Sequence, residues 1–277
     1  MPLDHLLKHP LACVLATALI LASCAPGQTT LSGADPAGPH PRVARALTQP
    51  VHGIDVSKYQ GRIEWASVKA SGTHFAYIKA TEGGDHVDEL FVENWNEARA
   101  AGVPRGAYHF VYWCRDAREQ VEWFKRNVPA EADALPPVLD LEWNSSSRTC
   151  PYKLPRQQAL SMIKIMLKGM GEHTGKRPVI YTDPGFYKDV LEGELLEYPL
   201  WARSVAAEPE ARYADRPWLL WQYTASGRVA GVSTVVDRNA FWGSRSDWAQ
   251  FLSTHCDPRT DASTPGRCTN AKFASAD

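Results

Sequence analysis

Leu135-Pro136-Pro137-Val138-Leu139-Asp140-Leu141-Glu142-Trp143 is the stretch on which the reading of this chain turns. Two prolines lead into an apolar run, which delivers two carboxylates at i and i+2 and ends on an aromatic. A short apolar run bounded by turn signals reads as a buried strand of a parallel sheet. Residues two apart on a strand share a face, so Asp140 and Glu142 project together, their Cβ atoms about 6–7 Å apart from the rise per residue. Mutual repulsion and partial burial raise at least one pKa in such a pair, which is what a general acid working near neutrality requires. The alternative is a strand end whose acids merely face water. The spacing alone does not separate the two.

Outward from this strand, short apolar runs alternate with amphipathic stretches, the pattern of βα units and a parallel sheet. The runs cover 51–57, 75–79, 105–111, 137–142, 178–182, 199–203, 218–223 and 234–239, with helical stretches at 65–70, 91–101, 117–128 and 156–173. Between the last three runs the gaps shorten and the helical signals fade. Eight strands with about five helices predict a single α/β domain, a modified TIM-like (β/α)5(β)3 barrel that finishes with nearly antiparallel connections. An open doubly wound sheet is the structural alternative. In a β/α barrel the chemistry sits at the C-terminal strand ends. Asp55, Tyr108, Asp140, Glu142, Tyr181, Asp183, Trp201, Gln222 and Asp237 all fall at or near the ends of their runs.

The chain has 277 residues, 44% hydrophobic and 22% charged, with a formal net charge of −1. The composition is globular, and the lack of basic excess argues against nucleic acid as a partner. Residues 1–23 read as an export signal: Lys8, an apolar stretch over 11–22, then Leu21-Ala22-Ser23-Cys24. The apolar stretch is too short to span a bilayer. The closing tetrapeptide resembles the bacterial lipobox, so Cys24 is the expected lipidation site and the membrane an expected partner through that anchor. Residues 24–50, rich in Gly, Pro, Ser, Thr and Ala, read as a flexible tether, 51–253 as the barrel and 254–277 as a C-terminal tail. Besides Cys24, four cysteines remain in the exported part. An even number in an oxidising compartment points to two disulfides. The short loop between Cys256 and Cys268 favours that local pair, leaving Cys114 for Cys150, a link expected to staple two loops over one side of the cleft. No C-x-x-C spacing exists, and no metal or cofactor is expected. Neither a G-x-S-x-G elbow nor a phosphate-binding glycine loop occurs.

Six segments in order resemble the glycoside hydrolase family 25 lysozymes. They are His52-Gly53-Ile54-Asp55-Val56-Ser57 with Tyr59-Gln60-Gly61, then Phe75 through Gly83, then Gly106-Ala107-Tyr108-His109-Phe110. The D-x-E strand follows, and Trp221-Gln222-Tyr223 and Val236-Asp237-Arg238-Asn239 close the series. The resemblance implies a lysozyme that cleaves the β-1,4 bond after N-acetylmuramic acid in peptidoglycan, whose glycan strands are then the expected partner. It implies Glu142 as general acid/base and Asp140 as its neighbouring carboxylate. Two roles stay open for Asp140, orienting the substrate's 2-acetamido group for substrate-assisted attack or acting directly. Asp55 and Asp237 match two further cleft acids that tune Asp140.

Tyr108, Tyr181, Trp143, Trp201 and Gln222 are the expected substrate contacts, although large aromatics are more often core. Tyr223 is a weaker candidate of the same kind. Lys79 and Glu82 read as a structural ion pair, and His109 as a buried residue facing a helix. The expected protein is an exported, lipid-anchored, monomeric muramidase of the bacterial envelope. A non-catalytic peptidoglycan-binding lipoprotein and a hydrolase of chitin-like N-acetylhexosamine polymers are the alternatives.

Overall fold

The computed structural model describes residues 38–214, 216–259 and 261. Nine strands form one sheet: β1 (His52–Val56), β2 (Phe75–Glu82), β3 (His86–Val87), β4 (Arg105–Phe110), β5 (Val138–Leu141), β6 (Val179–Thr182), β7 (Leu200–Arg203), β8 (Leu220–Gly227) and β9 (Val236–Phe241). Pairing is parallel from β1 through β2, β4, β5, β6 and β7 to β8, and β9 lies antiparallel between β8 and β1. The sheet thereby closes into an eight-stranded barrel, with β3 a short antiparallel addition to the end of β2. Closure rules out the open sheet. The expected antiparallel finish is narrower than the shortened gaps implied, because β7 and β8 still pair in parallel and only β9 is reversed.

Strand alternation divides the core in two. Leu139, Leu141, Ile54, Ile78 and Ile180 face outward and pack with the apolar faces of the surrounding helices. These are α1 (Trp65–Ala70), α2 (Phe91–Ala100), α3 (Ala117–Asn127) and α4 (Arg156–Thr174). In α4, Leu160, Ile163, Leu167 and Met170 recur at the three-to-four spacing of one helical face, and the helix stops at Gly175, whose φ of +67° suits glycine. A short helix, α5 (Pro184–Phe186), runs into a π-helical turn at Tyr187–Leu191 after β6.

The inward side chains fill the barrel. Phe75, Tyr77, Val138, Val179, Trp201 and Phe241 form a separate interior core. Space for the rings is made by glycine, since a Cβ on Gly53 would lie 2.4 Å from the Phe75 ring and one on Gly106 2.3 Å from Tyr77. A last helix, α6 (Arg245–Thr254), not read from the sequence, plugs the base. Its start is fixed by a capping box between Ser244 and Asp247, and its Trp248 and Phe251 join the interior core.

Two boundaries move. Pro41–Thr48, expected as tether, is a 3-10 helix with Val43 and Ala46 buried, and its Arg45 pairs with Glu208 and Glu210. Two apolar residues three apart were too weak a signal in a Pro- and Ala-rich context. At the other end, Asp257 and Asp261 are buried, and Asp261 pairs with Arg177, so the fold continues past 253. The Cys114–Cys150 disulfide is present and joins the loops after β4 and β5. Cys256 is also disulfide-bonded. Its expected partner Cys268, like Cys24 and the export signal, lies outside the described residues.

Candidate active site

The C-terminal ends of the parallel strands open into a cavity of about 320 Å3. Its acids are Asp55 from β1, Asp140 from β5, Glu142 just past the end of β5, and Asp237 from β9. Because β9 is reversed, Asp237 reaches the mouth from the start of its strand and stands directly opposite Asp55 in the register. Like charges at opposed positions repel, so this pairing disfavours full ionisation.

Asp55 is the most tightly held of the four. Its carboxylate accepts from Gln222 Nε2 at 3.1 and 3.3 Å and from Asn239 Nδ2 at 2.7 Å. Burial nevertheless outweighs these donors and moves its pKa up to about 6. Asp237 is pushed up to about 8, first by burial and then by the charge of Asp55. Burial, reinforced by the neighbouring Glu142, raises Asp140 well above the usual carboxylate range. Glu142 is raised by burial and by Asp183, with Arg203 opposing. Near neutral pH the cluster therefore holds protons that separate carboxyl groups in water would have released. Asp140 Oδ1 is buried without a hydrogen-bond partner among the described residues.

A chain of polar contacts runs behind the acids. Trp201 Nε1 donates to Asn239 Oδ1 at 2.8 Å, and Tyr181 OH donates to Gln222 Oε1 at 3.0 Å. Tyr108, Tyr181, Trp201 and Gln222 line the cavity. Trp201 is 2% exposed and packs on Tyr77 and Tyr181, at 5.0 and 4.9 Å between ring centroids, which makes it floor rather than rim. Trp143 does not line the cavity. It follows Glu142 directly, so strand alternation turns it away. It packs on Trp113 and Phe186 and donates to Asp189 at 2.8 Å. Tyr223 is likewise outside, buried against His52. Neither cysteine of the Cys114–Cys150 link lines the cavity, so the staple flanks the site without covering it. His109 faces α3, contacting Thr81 and Gln120.

Two cations, Arg203 and Lys79, also line the cavity. Lys79 forms the expected pair with Glu82, yet it also faces the site and draws Asp140 down in pKa. Arg203 lies within the fields of Glu142, Asp183 and Asp237. The signal for it was in plain view, since Trp201 and Arg203 are two apart on one strand and must share a face. Asn239 was readable in the same way from Asp237.

This arrangement can hold one carboxyl group protonated beside others that carry charge, in a space sized for a sugar ring. The family model for glycosyl hydrolases family 25 matches residues 54–232. The chain belongs to glycosyl hydrolases family 25. It is therefore a glycoside hydrolase, and the barrel and the D-x-E strand are read within that family. Asp55, Asp140, Glu142 and Gln222 fall inside the matched segment, whereas Asp237 and Asn239 lie just beyond it on β9, the strand that closes the barrel. Over 217 residues the chain is 39% identical to Lysozyme M1 of Streptomyces globisporus, covering 75% of this chain and 74% of that one. It is 30% identical over 193 residues to the N,O-diacetylmuramidase of Arthroderma benhamiae, covering 67% and 81%. Among solved structures, the lysozyme of Streptomyces coelicolor superposes with a TM-score of 0.68 at 36% identity, covering 76% of this chain and all of that one.

Proposed function

We propose that this family 25 enzyme is an exported N-acetylmuramidase that hydrolyses the β-1,4 bond between N-acetylmuramic acid and N-acetylglucosamine in peptidoglycan. The observation that carries this reading is the pairing of Glu142, biased toward its protonated form, with Asp140, whose buried Oδ1 has no partner among the described residues. A buried acceptor left unpaired costs free energy unless something else supplies a donor. The N–H of a substrate 2-acetamido group is such a donor.

Glu142 then serves as general acid. Burial and the charge of Asp183 raise its pKa, against Arg203 and a hydrogen bond from Tyr181 that both favour the carboxylate. Glu142 delivers its proton to the glycosidic oxygen as the bond from C1 breaks, and the acetamido oxygen, oriented through Asp140, attacks C1. A water molecule, deprotonated by the resulting Glu142 carboxylate, opens the cyclic intermediate and leaves the anomeric configuration retained. Asp55 and Asp237 hold the field around Asp140. Lipidation at Cys24, with the chain between it and the barrel as tether, belongs to the same reading and would hold the enzyme in the bacterial envelope.

The test is incubation of the mature chain with purified peptidoglycan and, in parallel, with chitin oligosaccharides, followed by borohydride reduction and mass spectrometry. Reduced muramic acid termini from peptidoglycan, with chitin left intact, are expected. Cleavage of chitin would move the substrate to other N-acetylhexosamine polymers. Binding to peptidoglycan without any cleavage would favour a non-catalytic wall-binding protein.

A further inference from the structure

Beside the catalytic cavity lies a second one of about 350 Å3, and Tyr59 and Lys79 line both. Tyr59 is 76% exposed and stands on the turn after β1, between the two spaces. The rest of the second wall comes from Lys58, Glu82, Asp85, His86, Asp88 and Tyr112, so charges of both signs surround it.

The wall is built in advance. The turn between β2 and β3 passes through Gly83 at a φ of +57°, and α3 together with the loop leading into it holds the turn from behind. Trp123 Nε1 donates to the His86 carbonyl at 2.8 Å, and Arg115 pairs with Asp85 at 2.7 Å. Asp88 is buried, and its two carboxylate oxygens accept from the backbone N–H groups of Lys58 at 2.9 Å and Leu90 at 3.0 Å, which fixes the turn that carries Lys58. Lys58 Nζ lies 2.8 Å from Glu89, whose side chain is 70% exposed. An exposed pair of this kind is worth little, so an incoming carboxylate exchanges with Glu89 at small cost.

N-acetylated sugar rings carry no charge, and a cavity for sugar alone has no use for this wall. The charges of peptidoglycan sit on the peptide stem, joined through the lactyl ether of each muramic acid. The stem carries free carboxylates and, where it is not cross-linked, the amine of its diamino residue. We infer that the second cavity receives the peptide stem of the muramic acid unit held in the catalytic cavity, with Lys58 taking a stem carboxylate. This inference rests on the muramidase reading above.

The experiment compares the full chain with its Lys58→Glu variant on two substrates. One is uncross-linked peptidoglycan strands carrying stems, and the other is the same strands stripped by an amidase that cuts the lactyl–peptide bond. Stripping should lower kcat/KM of the parent about tenfold, through KM, as expected for one charge-assisted contact. Lys58→Glu should lose about tenfold on stem-bearing strands and nothing on stripped ones. Equal parental kcat/KM on the two substrates, or an equal loss by the variant on both, overturns the inference while leaving the muramidase reading in place. Absence of cleavage of either substrate by the parent overturns both.

Discussion

At the base of the barrel, Phe75, Phe241, Trp248 and Phe251 pack ring against ring with centroids 5.0–5.6 Å apart. At the mouth, the same kind of inward positions carry Asp55, Asp140, Glu142 and Asp237. The same alternation builds both ends, and what differs is the free energy each one contributes. Each buried ring at the base contributes about 1.5–3 kcal/mol of transfer free energy. The mouth places like charges opposite one another and leaves a buried acceptor without a partner among the described residues, which costs stability. The barrel thus carries an unfavourable cluster on a firmly packed floor.

That contrast breaks most easily at the base. Trp248→Ala should cost about 3–5 kcal/mol by opening a cavity under Phe75 and Phe241. Chemical denaturation measures the loss, while kcat per folded molecule should stay unchanged. A fall in kcat without a loss of stability would show that the floor takes part in the chemistry.

A smaller effect of opposite sign is expected at the mouth. Asp237 has a folded-state pKa of about 8, above its ordinary value of 3.8. The folded state therefore binds its proton more tightly, and the stabilisation this gives is complete below about pH 4 and lost as pH rises toward 8. Asp237→Asn removes that loss. The variant should match the parent in stability at pH 4 and exceed it by about 2 kcal/mol at pH 8, because solvent screening of this half-buried carboxyl cuts down the roughly 5–6 kcal/mol that the full shift would give. Denaturation curves across this range decide it, and parallel pH profiles for the two proteins would show that Asp237 is not what strains the mouth.

The difference between the two ends also explains what was legible in the sequence. The acids were readable because each sits on a run whose alternation fixes its direction, and Asp140 with Glu142 needed only the two-residue period. The same rule turns Trp143 outward, and its aromatic character should not have outweighed that position. Arg203 and Asn239 were as readable as Asp140, each two residues from a site residue on its own strand. The base was harder. α6 has Trp248 and Phe251 buried but little apolar periodicity around them, and its role emerges only when the closed barrel leaves an end to be plugged. The reversed direction of β9 depends on closure against β1, a long-range pairing that local spacing does not record. The β3 addition spans two residues, below the length at which alternation can be recognised.

The environment at the mouth biases Glu142 toward its protonated form, the state in which we propose that it acts as the acid. The most direct measurement compares the parent with Glu142→Gln on peptidoglycan, following reduced muramic acid termini for turnover and co-sedimentation for binding. Gln keeps the shape of Glu142 and cannot give up a proton in the same way, so kcat should fall by about 10²–10⁴ with co-sedimentation unchanged. A variant that retained kcat within a few-fold of the parent would contradict the account and place the acid elsewhere in the cluster.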